Sequence, residues 1–147
     1  MKFSTKGRYG TRALLDLAMY RGKEPVPIKD IAKRQHISLP YLEHLIAPMI
    51  AAGMVRSIKG PKGGILLVKN PDEIKLSEII SIFEGSSALV ECVDDPGLCP
   101  RADSCAARDV WDEVKKAMNG VLESITLQDL VEKQKGKKAP LETMYYI

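Results

Sequence analysis

The chain has 147 residues, of which 45% are hydrophobic, enough for one compact core and too apolar for global disorder. Aromatic residues make up only 5%, which excludes the stacking platform of a single-strand nucleic-acid binder. The net charge of +3 is unevenly shared: residues 1–70 carry 13 Lys/Arg against 4 Asp/Glu, and residues 71–147 carry 9 against 15, so only the first half is expected to meet a polyanion.

The opening MKFSTKGRYG lacks the apolar core of a secretory signal, and no run of about 18 apolar residues follows, which predicts a cytoplasmic protein with no membrane partner. Tyr9, Ala13, Leu14, Leu17 and Ala18 recur at helical spacing and predict a first helix over 7–20, stopped by the Gly22–Pro25 segment. A short helix is expected over 28–35, then a tight turn at His36-Ile37. Ser38 is placed to cap a third helix whose first turn tolerates Pro40. Leu42, Leu45, Ile46 and Met49 form its apolar stripe, with Tyr41, Glu43 and His44 mostly opposite. Pro48 predicts a kink or a shortened last turn. Two strands over 55–58 and 65–68 flank a basic loop, Lys59-Gly60-Pro61-Lys62-Gly63-Gly64. A fourth helix carries Leu76, Ile79, Ile80 and Phe83 up to Gly85.

Residues 86–106 have no helical period and hold all three cysteines. A long helix follows from about residue 107, with Val110, Trp111, Val114, Met118, Val121, Leu122 and Ile125 on one stripe. Residues 126–132 suggest one further turn, and 133–138 a solvated basic loop. The expected fold is mainly α: a winged helix-turn-helix over 1–85, a cysteine loop over 86–106, and a dimerisation helix with a tail over 107–147.

Helix, turn, helix and basic hairpin form a double-stranded DNA reader, because a helix with its side chains matches the major groove in width. The N-terminal residues of the third helix reach base edges: Ser38, Pro40, Tyr41, Glu43 and His44. Glu43 suits cytosine N4 as an acceptor; an ordinary solvated glutamate is the alternative. Lys2, Lys59 and Lys62, with Lys6, Arg8, Arg12 and Arg56, are candidates for phosphates, and Gly60, Pro61 and Gly63 let the loop backbone approach closely. The long apolar stripe calls for a partner, and two-fold operators favour a homodimer. The pattern C-x6-C-x5-C of Cys92, Cys99 and Cys105 puts three soft ligands in one polar loop, suited to a metal or an iron–sulfur cluster; three plain free thiols are the alternative. No P-loop, G-x-S-x-G or H-E-x-x-H motif points to an enzyme.

STKGRYG at 4–10, ISLPYLEHL at 37–45 and GPKGG at 60–64 together resemble the IscR/NsrR/CymR family of winged-helix bacterial transcription regulators, over essentially the whole chain. The resemblance implies a homodimer with a long crossing helix. Its iron–sulfur members imply Cys92, Cys99 and Cys105 as ligands of a [2Fe–2S] or, second, a [4Fe–4S] cluster. Two positions depart from those members. Arg108 stands where IscR places a histidine, and Arg8 where NsrR takes an acid from the partner. The fourth ligand is therefore open among Asp109, Asp103, Asp94, Glu91 and a small thiol. The first cysteine gap is also one residue longer than in IscR. The ending Tyr145-Tyr146-Ile147 resembles CymR, which lacks the cluster cysteines and works through a protein partner.

The expected function is a cluster-sensing repressor of iron–sulfur biogenesis genes. A CymR-like regulator of cysteine and sulfur metabolism, an NsrR-like nitric-oxide or redox sensor, and a small metal-binding scaffold are the alternatives.

Overall fold

The computed structural model describes residues 2–137, so Lys138 and the Tyr145–Ile147 ending lie outside the described residues. The elements run α1 (Thr5–Tyr20), α2 (Ile28–Gln35), α3 (Leu39–Ala51), β1 (Val55–Ile58), β2 (Gly64–Leu67), α4 (Leu76–Glu84), α5 (Glu91–Asp94), α6 (Ala106–Ser124) and α7 (Leu127–Lys137). The fold is mainly helical with a two-stranded wing and a long helix near the end of the chain.

Ser4 begins α1 two residues earlier than the apolar period indicates, since its hydroxyl accepts from the Gly7 amide at 3.0 Å. At Gly7 and Gly10 side chains of α4 occupy the space a Cβ would take. A Cβ on Gly7 would meet the Glu84 carboxyl, and one on Gly10 the Phe83 ring. Glu84 completes this junction by accepting from the Ser4 amide at 2.7 Å and its hydroxyl at 2.6 Å. The core is built from Leu14 and Leu17 of α1, Ile31 of α2, Leu42, Leu45 and Met49 of α3, Val55 and Ile65 of the wing, and Ile74 and Ile79 around α4.

Of the two outcomes expected at Pro48, the shortened last turn does not occur, since α3 runs through it to Ala51; the carbonyl that Pro48 cannot serve belongs to His44, an exposed residue. Two expectations need correction. The second strand starts one residue earlier, at Gly64, because Ile58 pairs with it. Residues 127–137 form a full helix rather than one turn and a loop. Thr126 and Asp129 make a reciprocal capping box: the Thr126 amide donates to Asp129 at 2.9 Å, and the Asp129 amide to the Thr126 hydroxyl at 3.1 Å. Leu127 and Val131 then bury against the core, with α7 packed on α1.

Candidate nucleic-acid interface

The helix-turn-helix is closed by one backbone feature. His36 adopts the left-handed conformation (φ 54°, ψ 44°) at the end of α2, and the Ile37 amide reaches back to the Ala32 carbonyl at 3.0 Å. Ile37 is buried, which fixes the exit direction of the chain. Ser38 then caps α3 by accepting from the Tyr41 amide at 3.4 Å. Ser38, Pro40, Glu43 and His44 are exposed together at the start of α3, and Tyr41 is half-buried beside them. No acid lies in the first turn of α3, so the positive end of its dipole is left for an outside anion.

The wing pairs Val55 with Leu67 through Ile58 with Gly64, antiparallel. At its tip Lys59, Gly60, Pro61 and Lys62 are exposed and Gly63 is half-buried. Gly60 has φ 115°, and its carbonyl accepts from the Gly63 amide at 2.9 Å. A Cβ on Gly63 would meet the Ile58 carbonyl, and one on Gly64 the Val26 carbonyl. Val26 supports the wing root by exchanging backbone hydrogen bonds of 3.0 and 2.9 Å with Ile65.

Between α1 and α2 lies a polar network that the pattern of apolar residues does not reveal. Asp16, only 2% exposed, accepts from Arg34 Nη2 at 2.6 Å and Nε at 3.0 Å, and from Gln35 Nε2 at 2.9 Å. The carboxylate raises the Arg34 pKa, first through this hydrogen bond. Arg34 also stacks 3.8 Å over the Tyr20 ring. Arg12, an exposed residue of α1, has two donors on Gln35. The signal available in the sequence was Asp16 itself, an acid on the apolar face of α1. Lys2 lines a cleft with Phe3, Glu84, Ser87 and Met118.

Cys92 lies in α5, Cys99 follows a 3-10 turn at Pro96–Leu98, and Cys105 precedes α6; all three are free and half-buried. Three free thiols in one loop are a donor set whose chemistry suits an iron–sulfur centre. Among the described residues, however, no three Cys, His or acid side chains converge on a common point. The segment is instead docked on one face of α6. Arg108 Nε donates to the Cys92 carbonyl at 2.8 Å, Lys115 Nζ to Asp94 at 2.7 Å, and Ser87 Oγ to Asn119 at 2.7 Å. The hydrogen bond from Lys115, then one from Ser86, holds the Asp94 carboxyl below its usual range.

Beside that docked face runs the apolar stripe of α6. Val110, Trp111 and Val121 are 49%, 39% and 58% exposed, while Val114, Met118 and Leu122 are half-buried. Ile125 follows the helix, half-buried, with its carbonyl accepting from the Leu76 amide at 2.8 Å. No described helix is long and apolar enough to cross a membrane.

Comparison with known proteins agrees with this arrangement. Residues 3–133 match the family model described as Rrf2, iron-dependent transcriptional regulator. Protein rrf2 of Nitratidesulfovibrio vulgaris is 44% identical over 131 residues, covering 89% of this chain and 87% of the relative. CymR of Bacillus subtilis is 38% identical over 147 residues, all of both chains; its solved structure, described as the global cysteine regulator, superposes with a TM-score of 0.75 over 90% of this chain and 98% of that one. A solved IscR from T. potens is 40% identical, with a TM-score of 0.77 over 99% of this chain and 97% of that one.

Proposed function

This chain belongs to the Rrf2 family of transcriptional regulators, DNA-binding proteins and not enzymes, and on that premise we propose that it is a homodimeric repressor of iron–sulfur biogenesis genes that senses a cluster on Cys92, Cys99 and Cys105. The observation that carries the reading is the placement of three free, half-buried thiols in one segment docked on α6, the helix that leaves Val110, Trp111 and Val121 exposed.

In this reading α3 enters the major groove with Ser38, Pro40, Tyr41, Glu43 and His44, and the wing tip at Lys59–Gly63 rests on phosphates. The α6 stripe packs on its twin, which sets two reading heads about one helical turn apart, roughly 34–36 Å. The three thiolates supply soft ligands, and a bound cluster would bring redox-sensitive iron whose charge and retention vary with conditions. Arg108 does not complete the set: its guanidinium stays protonated and is spent on the Cys92 carbonyl. Asp94 is engaged by Lys115. Asp109, Asp103, Glu91 or a small thiol are the remaining fourth ligands, with [2Fe–2S] ahead of [4Fe–4S].

One observation favours a second reading. CymR of Bacillus subtilis is 38% identical over the full length of both chains, a likeness as extensive as that to the T. potens IscR, which is 40% identical over 99% of this chain. A regulator of cysteine supply acting with a protein partner follows from the CymR likeness. Anaerobic purification with iron and sulfide analysis and visible spectra separates the two. The cluster reading expects iron and sulfide in the wild type, their loss in the Cys92, Cys99 and Cys105 to Ala variant, and a changed operator affinity. A colourless, iron-free wild type that still binds its operator supports the CymR-like reading.

A further inference from the structure

Arg12 lies one turn beyond Tyr9 on α1, and its guanidinium joins three elements. It sits 4.9 Å over the Tyr9 ring. Its Nη2 donates to the Gln35 carbonyl at 2.7 Å and its Nε to Gln35 Oε1 at 3.2 Å. Gln35 is the last residue of α2, so that carbonyl is one a helix end leaves without an internal partner. Tyr9 in turn meets Tyr41 edge-to-face, with ring centroids 6.0 Å apart and planes at 89°. Tyr41 stands in the first turn of α3. Arg12 therefore holds the end of α2 directly and the start of α3 through one intervening ring, on either side of the turn.

This geometry separates Arg12 from the other surface cations. Lysines at the wing tip can follow a phosphate as it moves. A guanidinium that is stacked on a ring and has two donors in fixed directions is pre-organised. We infer that Arg12 and Tyr9 are positioning residues for DNA recognition: they fix the direction in which α3 presents Tyr41, Glu43 and His44, and so determine sequence specificity rather than supply phosphate affinity. The inference rests on the reading of α3 as the helix that enters the groove.

The two roles leave different signatures. A cation that no longer neutralises its phosphate weakens binding to every sequence and reduces the salt slope by about 0.9. Loss of a brace lets α3 drift. Base-edge hydrogen bonds tolerate only about 0.5 Å of misplacement, while long flexible cations on phosphates tolerate more.

The test uses the full-length protein and a duplex that the wild type selects from a random-sequence pool, with a scrambled duplex of equal length as control. Arg12→Gln, Arg12→Lys, Tyr9→Phe and Tyr9→Leu are compared by fluorescence anisotropy across a salt series. The selected-to-scrambled affinity ratio should fall about tenfold, one good bidentate base contact, in Arg12→Gln. It should fall equally in Arg12→Lys, which keeps the charge but lacks the planar fork. Tyr9→Phe, which keeps the ring, should retain the ratio and Tyr9→Leu lose it, with the salt slope on scrambled DNA unchanged throughout. A folded Arg12→Gln that keeps the wild-type ratio, or an Arg12→Lys that restores both ratio and slope, overturns the inference. If Arg12→Gln fails to fold by circular dichroism, the Tyr9 pair decides: equal ratios for Phe and Leu overturn it. A wild type that selects no duplex overturns this inference together with the reading of α3; the other outcomes leave that reading intact.

Discussion

The Asp16–Arg34 pair yields a prediction whose sign depends on which partner is removed. Asp16 is 2% exposed and accepts from Nε and Nη2 of Arg34 and from Gln35 Nε2; the Arg34 side chain keeps 30% of its surface in water. Asp16→Asn removes the charge from the buried end and leaves a guanidinium that water can still reach. Its cost falls between that of an exposed pair, about 0–1 kcal/mol, and that of a broken buried pair, about 3–5 kcal/mol, so we expect roughly 2–3 kcal/mol. Arg34→Met leaves the carboxylate buried without its guanidinium partner, Gln35 still donating to it, and loses the stack on Tyr20. That change belongs at about 3–5 kcal/mol. For a chain of this length each kcal/mol moves Tm by about 2–4 °C, which puts Asp16→Asn some 4–12 °C below the wild type and Arg34→Met lower still. Urea titrations with unchanged slope, alongside calorimetry, measure both. The double variant Asp16→Leu with Arg34→Met should recover part of the loss, because no buried charge is then left alone. An Arg34→Met protein more stable than Asp16→Asn would refute the asymmetry and the burial argument behind it.

Substituting Lys59 and Lys62 by Gln should weaken binding to selected and scrambled duplexes alike and lower the salt slope by about 0.9 for each phosphate left without its lysine; anisotropy titrations at several salt concentrations check this, and a sequence-selective loss would contradict it. Replacing Val114 and Val121 by Glu puts charges into the α6 stripe and should give monomers with weak operator binding; sedimentation velocity at micromolar concentration decides, and an unchanged dimer would remove α6 from the interface. The Asp94 carboxyl lies below its ordinary value of 3.8 in the folded chain because Lys115 and then Ser86 donate to it. A lowered folded pKa gives stabilisation that is complete above the unfolded value and lost as pH falls through the folded one. The Tm difference between wild type and Asp94→Asn should therefore be constant above about pH 5 and shrink below about pH 4; a difference that widens on acidification would contradict the assignment.

Periodicity and turn chemistry locate most of the helix-turn-helix and the wing from sequence, for physical reasons visible in the fold. α2 ends where His36 takes a left-handed turn, and β1 sits at Val55–Ile58, because these boundaries are made by local residues. The α3 stripe of Leu42, Leu45, Ile46 and Met49 is buried as its spacing demands. What the pattern conceals is tertiary. α7 has few apolar residues and a basic end, so it reads as a solvated tail. Only the packing of Leu127 and Val131 on α1 makes it worth forming, although the capping box at Thr126 and Asp129 marks its start. Gly7 and Gly10 likewise look like poor helix residues until α4 is seen to press against them. Arg12 reads as one more cation because nothing in spacing distinguishes a stacked guanidinium from a solvated one.

The cysteine segment is the place where sequence and fold diverge most, and the divergence has consequences for sensing. Three thiols within 14 positions suggest a ready-made ligand set, yet in the folded chain the segment is held by contacts to α6 that involve no sulfur. Bringing Cys92, Cys99 and Cys105 to one point requires the segment to shift relative to Arg108, Lys115 and Asn119. Those contacts are individually weak: hydrogen bonds at the protein surface contribute about 0.5–1.5 kcal/mol each, somewhat more where a charge is involved. Their sum is small beside the roughly 10–16 kcal/mol with which thiolate sites bind structural metals, so they do not forbid convergence. They do determine what convergence disturbs. All three anchors lie on α6, adjacent to the stripe at Val110, Val114, Met118 and Val121, and Glu84 at the entry to the segment also holds Ser4 at the head of α1. A rearrangement of the cysteines is thus mechanically connected both to the proposed dimer helix and to α1, which packs on α2 and α3.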